Sequence, residues 1–281
     1  MAAVCSMSQS KPKAGGPFHG LGSETLRPLA RPESAFSLVE LLVVIAIVGM
    51  LSAMLLPALA RSKAASQAAC CISNLQQLGE AAQLYLMDNQ DVFFSRCGVA
   101  SAQGQEWWFG WLQGSSVPEG HRGYDLAAGC LYPYLGVDGV RLCPSPFWSS
   151  PLFKPKGTNV ICSYGCNGLL FPGPGQAAVV AGALKHPADV AWFADSAQVN
   201  TFQPPASPSH PMFEEFYYVD LETNYSRPDN QPNGQFRHGQ KSNVTFADGH
   251  VAALAPVPGS YDSRLPEFVI GQLPPSVLLF Q

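Results

Sequence analysis

The hydrophobic pattern divides the chain into three stretches. From Leu41 to Ala60 twenty residues pass without a charge, and Arg61 and Lys63 close the run. A helix of that length rises about 30 Å, the thickness of a bilayer's hydrocarbon core, and a helix satisfies its own backbone there. One carboxylate, Glu40, stands at the threshold of the run. Beyond Arg61 the pattern becomes one-sided: Ala65, Ala68, Ile72, Leu75, Leu78, Ala82 and Tyr85 or Leu86 recur at three- and four-residue steps, the period of one helix face. With almost no helix breaker between them, the two stretches predict one helix of about fifty residues, near 75 Å long, ending around Asp88 to Asp91. Pro57 lacks a backbone donor and is expected to bend it. Gly49 and Ala53, four apart, leave a smooth strip where a second helix can approach; ordinary small-residue usage in a membrane helix explains that strip equally well.

The third stretch, residues 92–281, reads as short strands and turns. DVAWFADSAQ (189–198) and KSNVTFADGHVAALAPV (241–257) have the character of strands with a buried face. Ala247-Asp248-Gly249 supplies the tight turn that closes a hairpin. Such a hairpin needs further strands and a cover, and the second half of the long helix can provide it. The expected fold class is therefore α+β, a long N-terminal helix packed on an antiparallel sheet in a loop-rich body.

Composition supports that picture: 26 Gly and 25 Pro among 281 residues exceed ordinary usage. A net charge of −4 gives no electrostatic case for a nucleic-acid partner. Lys11, Lys13, Arg27 and Arg31 outnumber Glu24 and Glu33 ahead of the apolar run, which favours a cytoplasmic N-terminus and an extracytoplasmic body. A removable signal peptide, cut after Ala58-x-Ala60, is disfavoured because the run is long and its helical pattern continues past it. There is no Cys-x2-Cys pair among the eight cysteines, so a zinc ribbon is not expected. Cys143 with Cys162 or Cys166 is the preferred disulfide, closing a loop worth roughly 3 kcal/mol, and Cys130 is the other candidate partner.

Two groups of residues could carry chemistry. Trp107, Trp108 and Trp111 in EWWFGWL can form a sugar-stacking surface, but so dense an aromatic cluster more often fills a core. Asp195, His238, Asp248 and His250 could hold calcium or another divalent metal, or share a proton; turn formation by Asp248 and strand capping by His238 are the simpler readings. The chain has no nucleophile elbow, no phosphate-cradling glycine loop and no HExxH, so an enzyme is not expected.

The segment Ala35-Phe36-Ser37-Leu38-Val39-Glu40, with the apolar run behind it, resembles the processing and methylation site of type IV pilins and type II secretion pseudopilins. The resemblance implies a prepilin peptidase as partner, a cut between Ala35 and Phe36, and methylation of the new Phe36 amine. Glu40 then becomes the fifth mature residue and Pro57 the twenty-second, where pilins commonly carry a proline. The family usually has Gly where this chain has Ala35. Residues 1–35 would be the leader, 36–60 the membrane and filament-core helix, 61–91 its amphipathic continuation and 92–281 the body. The resemblance further implies that Glu40 pairs with the Phe36 amine of a neighbouring subunit, setting register more than adding stability.

FRHGQKSNVTFADGHV carries a second resemblance, His238 followed after nine residues by Asp248-Gly249. It is similar to the C-terminal signature of a large group of bacterial pilin-like proteins, whose landmarks the stretches CPS, SYGCNG and WFADSA also resemble. Together these imply a structural subunit of a pilus-like or secretion filament, stored in the inner membrane. The alternative is a membrane-anchored extracytoplasmic protein that binds sugar or a divalent metal, or a hydrolase, and never polymerises.

Overall fold

A computed structural model describes residues 37–136, 139–221 and 232–280. The two helical patterns merge into a single helix, α1, Leu38–Asp88, which runs through Pro57. It stops where Gln90 and Asp91 take left-handed φ of 57° and 58°, and the Asp91 amide returns to the Leu86 carbonyl at 2.9 Å, as helix C-termini close. The chain forms two units, Met1–Lys63 and Ala64–Gln281. In the first, the described residues are helical apart from Ser37 and their side chains are exposed throughout.

In the second unit the helix buries Cys71, Leu75, Leu78, Ala82 and Leu86, a stripe at three- and four-residue steps. The expected stripe is thus one residue off near its start: Ala65 is exposed and Ile72 only half-buried, because Cys71 faces the body instead. The strands are β1 (Gly104–Trp107), β2 (Gly110–Gln113), β3 (Tyr124–Asp125), β4 (Tyr164–Asn167), β5 (Ala191–Asp195), β6 (Gln198–Asn200), β7 (Met212–Glu214), β8 (Tyr218–Val219), β9 (Gly234–Gln235), β10 (Ser242–Phe246), β11 (Val251–Leu254) and β12 (Ile270–Gly271).

The main sheet has the order β11-β10-β5-β4-β8. Its pairs are antiparallel except β4 with β8, which is parallel. The expected α+β fold, a long helix on a mainly antiparallel sheet, is thus present; the single parallel pair arises because the chain passes through the β6–β7 hairpin before β8, a long connection that parallel pairing requires. Every residue of β5 and β10 is buried, as happens when both sheet faces are covered. On one face Phe193, Tyr164 and Cys166 meet the helix stripe and the aromatic residues Phe93, Phe94 and Trp108. On the other, Ala194, Val244 and Phe246 meet Phe236, Leu273 and Leu278 from the C-terminal segment.

The helix lies close on β10 because Gly79 has no side chain. A Cβ there would come within 2.8 Å of Thr245 Cγ2, while the Thr245 hydroxyl donates to the Leu75 carbonyl at 3.0 Å. The hairpin turn expected at Asp248-Gly249 joins β10 to β11, with Gly249 at φ +92°, a conformation that favours glycine.

Candidate functional sites in the N-terminal helix and beneath the sheet

At the start of α1 the four residues Ser37 to Glu40 form a reciprocal cap. Ser37 Oγ accepts from the Val39 amide at 3.2 Å, and Glu40 Oε2 accepts from the Ser37 amide at 2.9 Å. This is the S-x-x-E capping box, which satisfies donors that a helix N-terminus otherwise leaves open. The pattern is legible in the sequence, and reading Glu40 only for its charge misses it. Behind the cap, Leu41, Ile45, Leu51, Leu55 and Leu59 are all exposed, and a Cβ on Gly49 would meet nothing within 4 Å. The helix is long and apolar enough to cross a membrane. Ala53 and Pro57 share that exposed surface. Ala35 and Phe36 lie outside the described residues.

The second site is built where four segments converge under the helix. Cys71 comes from α1, Cys143 from the loop after residue 139, Asp195 from the end of β5 and His238 from the turn before β10. Their ligand atoms all lie within 4.8 Å of one another. Cys71 Sγ donates to Asp195 Oδ1 at 3.1 Å, Cys143 Sγ meets His238 Nε2 at 3.3 Å, and His238 Nε2 stands 3.6 Å from Asp195 Oδ2. Around them a shell holds the donors in place. Arg237 donates Nε and Nη2 to Asp195 Oδ1 at 3.0 and 2.7 Å, and the Asn243 amide donates to Oδ2 at 2.9 Å. The Tyr164 hydroxyl reaches Cys71 Sγ at 3.6 Å, and the Cys143 amide donates to Ser163 Oγ at 2.8 Å.

These contacts set the state of the sulfurs. The adjacent Cys71 thiol, together with Arg237 and His238, holds the Cys143 thiol down, to about 5, against burial. Burial instead pushes the Cys71 thiol well above its ordinary range. Cys143 is accordingly the more acidic of the two thiols.

The metal set expected from sequence divides in two. Asp195 and His238 meet in this centre, but Asp248 and His250 do not join it. They pair with each other at 2.6 Å on the exposed hairpin turn, where Asp248 also accepts from the His250 amide at 3.1 Å, as a turn-forming aspartate does. The expected disulfides are also corrected: Cys130, Cys143, Cys162 and Cys166 are all free thiols. Cys143 is turned toward Cys71 and His238, while the Cys162 thiol donates to the Tyr164 carbonyl at 3.3 Å and Cys166 is buried in the sheet. Among the tryptophans, Trp108 is core, its indole donating to the Tyr217 carbonyl at 2.8 Å. Trp107 and Trp111 are half-buried. Trp107 lines a cleft of about 350 Å³ together with Arg122, Lys156, Phe216 and Tyr217, and Trp108 and Trp111 do not reach it.

Comparison with known families adds one match. The family model for the prokaryotic N-terminal methylation motif matches residues 30–56, spanning Ala35, the capping box and nearly all of the exposed apolar run. The chain has a prepilin-type N-terminus. Together with the long apolar helix and the sheet-bearing body, the motif supports a type IV pilin-like protein that associates with a membrane. Neither the curated proteins nor the solved structures give a match to this chain. The His238 to Asp248-Gly249 element stays a resemblance.

Proposed function

We propose that the chain is a structural subunit of a type IV pilus-like or type II secretion filament. A prepilin peptidase removes residues 1–35 and methylates the Phe36 amine; the subunit waits in the inner membrane with its body extracytoplasmic and then enters the filament through residues 36–60. It performs no chemistry of its own. The observation that carries this reading is the methylation motif at residues 30–56, lying over a helix whose apolar side chains are exposed among the described residues. A plain anchor needs the apolar run but not the motif.

Glu40 has two duties in this account. In the isolated subunit its carboxylate completes the cap with the Ser37 amide. In the filament it exchanges that bond, worth about 1 kcal/mol, for the methylated Phe36 amine of the neighbouring subunit. A carboxylate among lipid tails is costly without a partner, so the exchange favours entry of the next subunit over storage. Glu40→Val tests this: the variant is expected to reach the membrane with a folded body but to be missing from sheared filament fractions. Incorporation at the wild-type level would remove the register role.

A further inference from the structure

We infer that Cys71, Cys143, Asp195 and His238 form a four-ligand structural site for zinc or a similar soft divalent cation, clamping the long helix to the sheet. The donor set decides the class of metal. Two sulfurs and an imidazole suit zinc, whereas calcium requires six to eight oxygens; a calcium site, expected from sequence among the possibilities, does not fit this centre. The spacing of the donors is close to what such an ion needs. Zinc bonds of about 2.3 Å to sulfur and about 2.0–2.2 Å to nitrogen and oxygen place tetrahedral donors roughly 3.3–3.8 Å apart. Cys71 Sγ stands 3.1 Å from Asp195 Oδ1, Cys143 Sγ 3.3 Å from His238 Nε2 and His238 Nε2 3.6 Å from Asp195 Oδ2, and the four ligand atoms all lie within 4.8 Å of one another, so small side-chain shifts bring them onto one ion.

Charge and access agree with this assignment. With both thiols ionised, the two sulfurs and the Asp195 carboxylate carry three negative charges. A divalent cation and the Arg237 guanidinium, itself on Asp195 at 2.7 Å, neutralise them. Binding releases the protons the thiols hold, and the displaced Cys71–Asp195 hydrogen bond is replaced by two bonds to the metal. A cleft of about 280 Å³, lined by Ala64, Ala65, Ala68, Pro146, Arg237 and His238, leads to the imidazole from the surface, so the ion has an entry path. Tyr164, Ser163 and the Asn243 amide hold the ligands from behind, the outer support that metal sites use to orient their donors. Each ligand comes from a different element, so one ion fixes the helix, the 140s loop, the sheet and the turn before β10 relative to one another.

The test uses the full chain in detergent, purified without reductant or chelator. Zinc measured by plasma mass spectrometry is expected in equimolar ratio to protein, with Cys71 and Cys143 protected from iodoacetamide until a chelator is added. A second measurement needs no variant: cobalt added to the metal-stripped protein is expected to give thiolate charge-transfer and tetrahedral ligand-field bands that zinc abolishes, while calcium leaves the spectrum unchanged. Tyr164→Phe, which removes a supporting hydroxyl, is expected to weaken cobalt binding by about tenfold. A Cys71–Cys143 disulfide, seen as an intact mass two hydrogens lighter and a linked peptide, would overturn the proposal. So would two free thiols with no cobalt spectrum.

Discussion

Residues 38–60 and 64–88 belong to one helix, yet they obey opposite rules. In the first stretch Leu51 is 57 % exposed and Leu55 66 %; in the second Leu75 and Leu78 are 0 % and 1 % exposed. The backbone is the same and the apolar residues are of the same kind. What differs is the pattern. The first stretch is apolar all round, which suits a lipid or a bundle of identical helices, whereas the second confines its apolar residues to one stripe, which suits a single sheet. Arg61 and Lys63 mark the change, and the boundary between the two units follows Lys63. Secondary structure alone therefore does not say where a helix belongs; the width of its apolar face does.

Substitutions on either side of that boundary should separate the two roles. Leu75→Ala is expected to cost the body about 3–4 kcal/mol, because it opens a cavity between helix and sheet; denaturant unfolding of the detergent-solubilised protein would measure it. Leu51→Ala, chemically the same change, should leave that unfolding transition in place. The converse substitution, Leu51→Arg, should impair membrane insertion by about 3 kcal/mol while sparing the body. Equal effects of Leu75→Ala and Leu51→Ala on unfolding would break the comparison.

Acidity offers a further separation, since residues 41–60 contain no ionisable side chain. Burial pushes the Glu215 carboxyl up to about 7, even though its oxygens accept from the Lys156, Ile161 and Cys162 amides. The folded body thus holds a proton that the unfolded chain releases near its ordinary value of about 4.3. This contribution to stability is fully present below that value and is lost as pH rises through about 7. Body stability should fall by on the order of 2–3 kcal/mol between pH 4.5 and 7.5 through this group, and Glu215→Gln should flatten the slope.

Two smaller effects sharpen the contact surfaces themselves. Gly79→Ala forces the helix away from Thr245 and is expected to cost about 1–2 kcal/mol, read from the same unfolding curves. Ser37→Ala removes half of the cap and should cost the helix N-terminus about 1 kcal/mol, visible as faster hydrogen exchange at the Val39 amide.

Periodicity made the long helix, its end near Asp88 and the Asp248-Gly249 turn legible, since each rests on residues adjacent in sequence. The parallel β4–β8 pair was not, because nothing local encodes the direction in which a chain returns. The buried centre was legible by halves. Asp195 and His238 were recognised as metal-ligating types, but Cys71 was hidden in a helix pattern read one residue late. Cys143 had an apparent partner closer in sequence. Joining them requires knowing that the helix stripe faces the end of β5, which only the tertiary contacts of Cys71 with Asp195 and of the Leu75 carbonyl with Thr245 establish. The capping box, by contrast, could have been read from Ser37 and Glu40 directly.

The most direct test of the account is the N-terminus of the mature, membrane-extracted protein. Tandem mass spectrometry is expected to find N-methyl-phenylalanine at residue 36, with residues 1–35 gone. An intact leader, or a first residue after Ala60, would contradict the reading of residues 36–60 as an assembly helix.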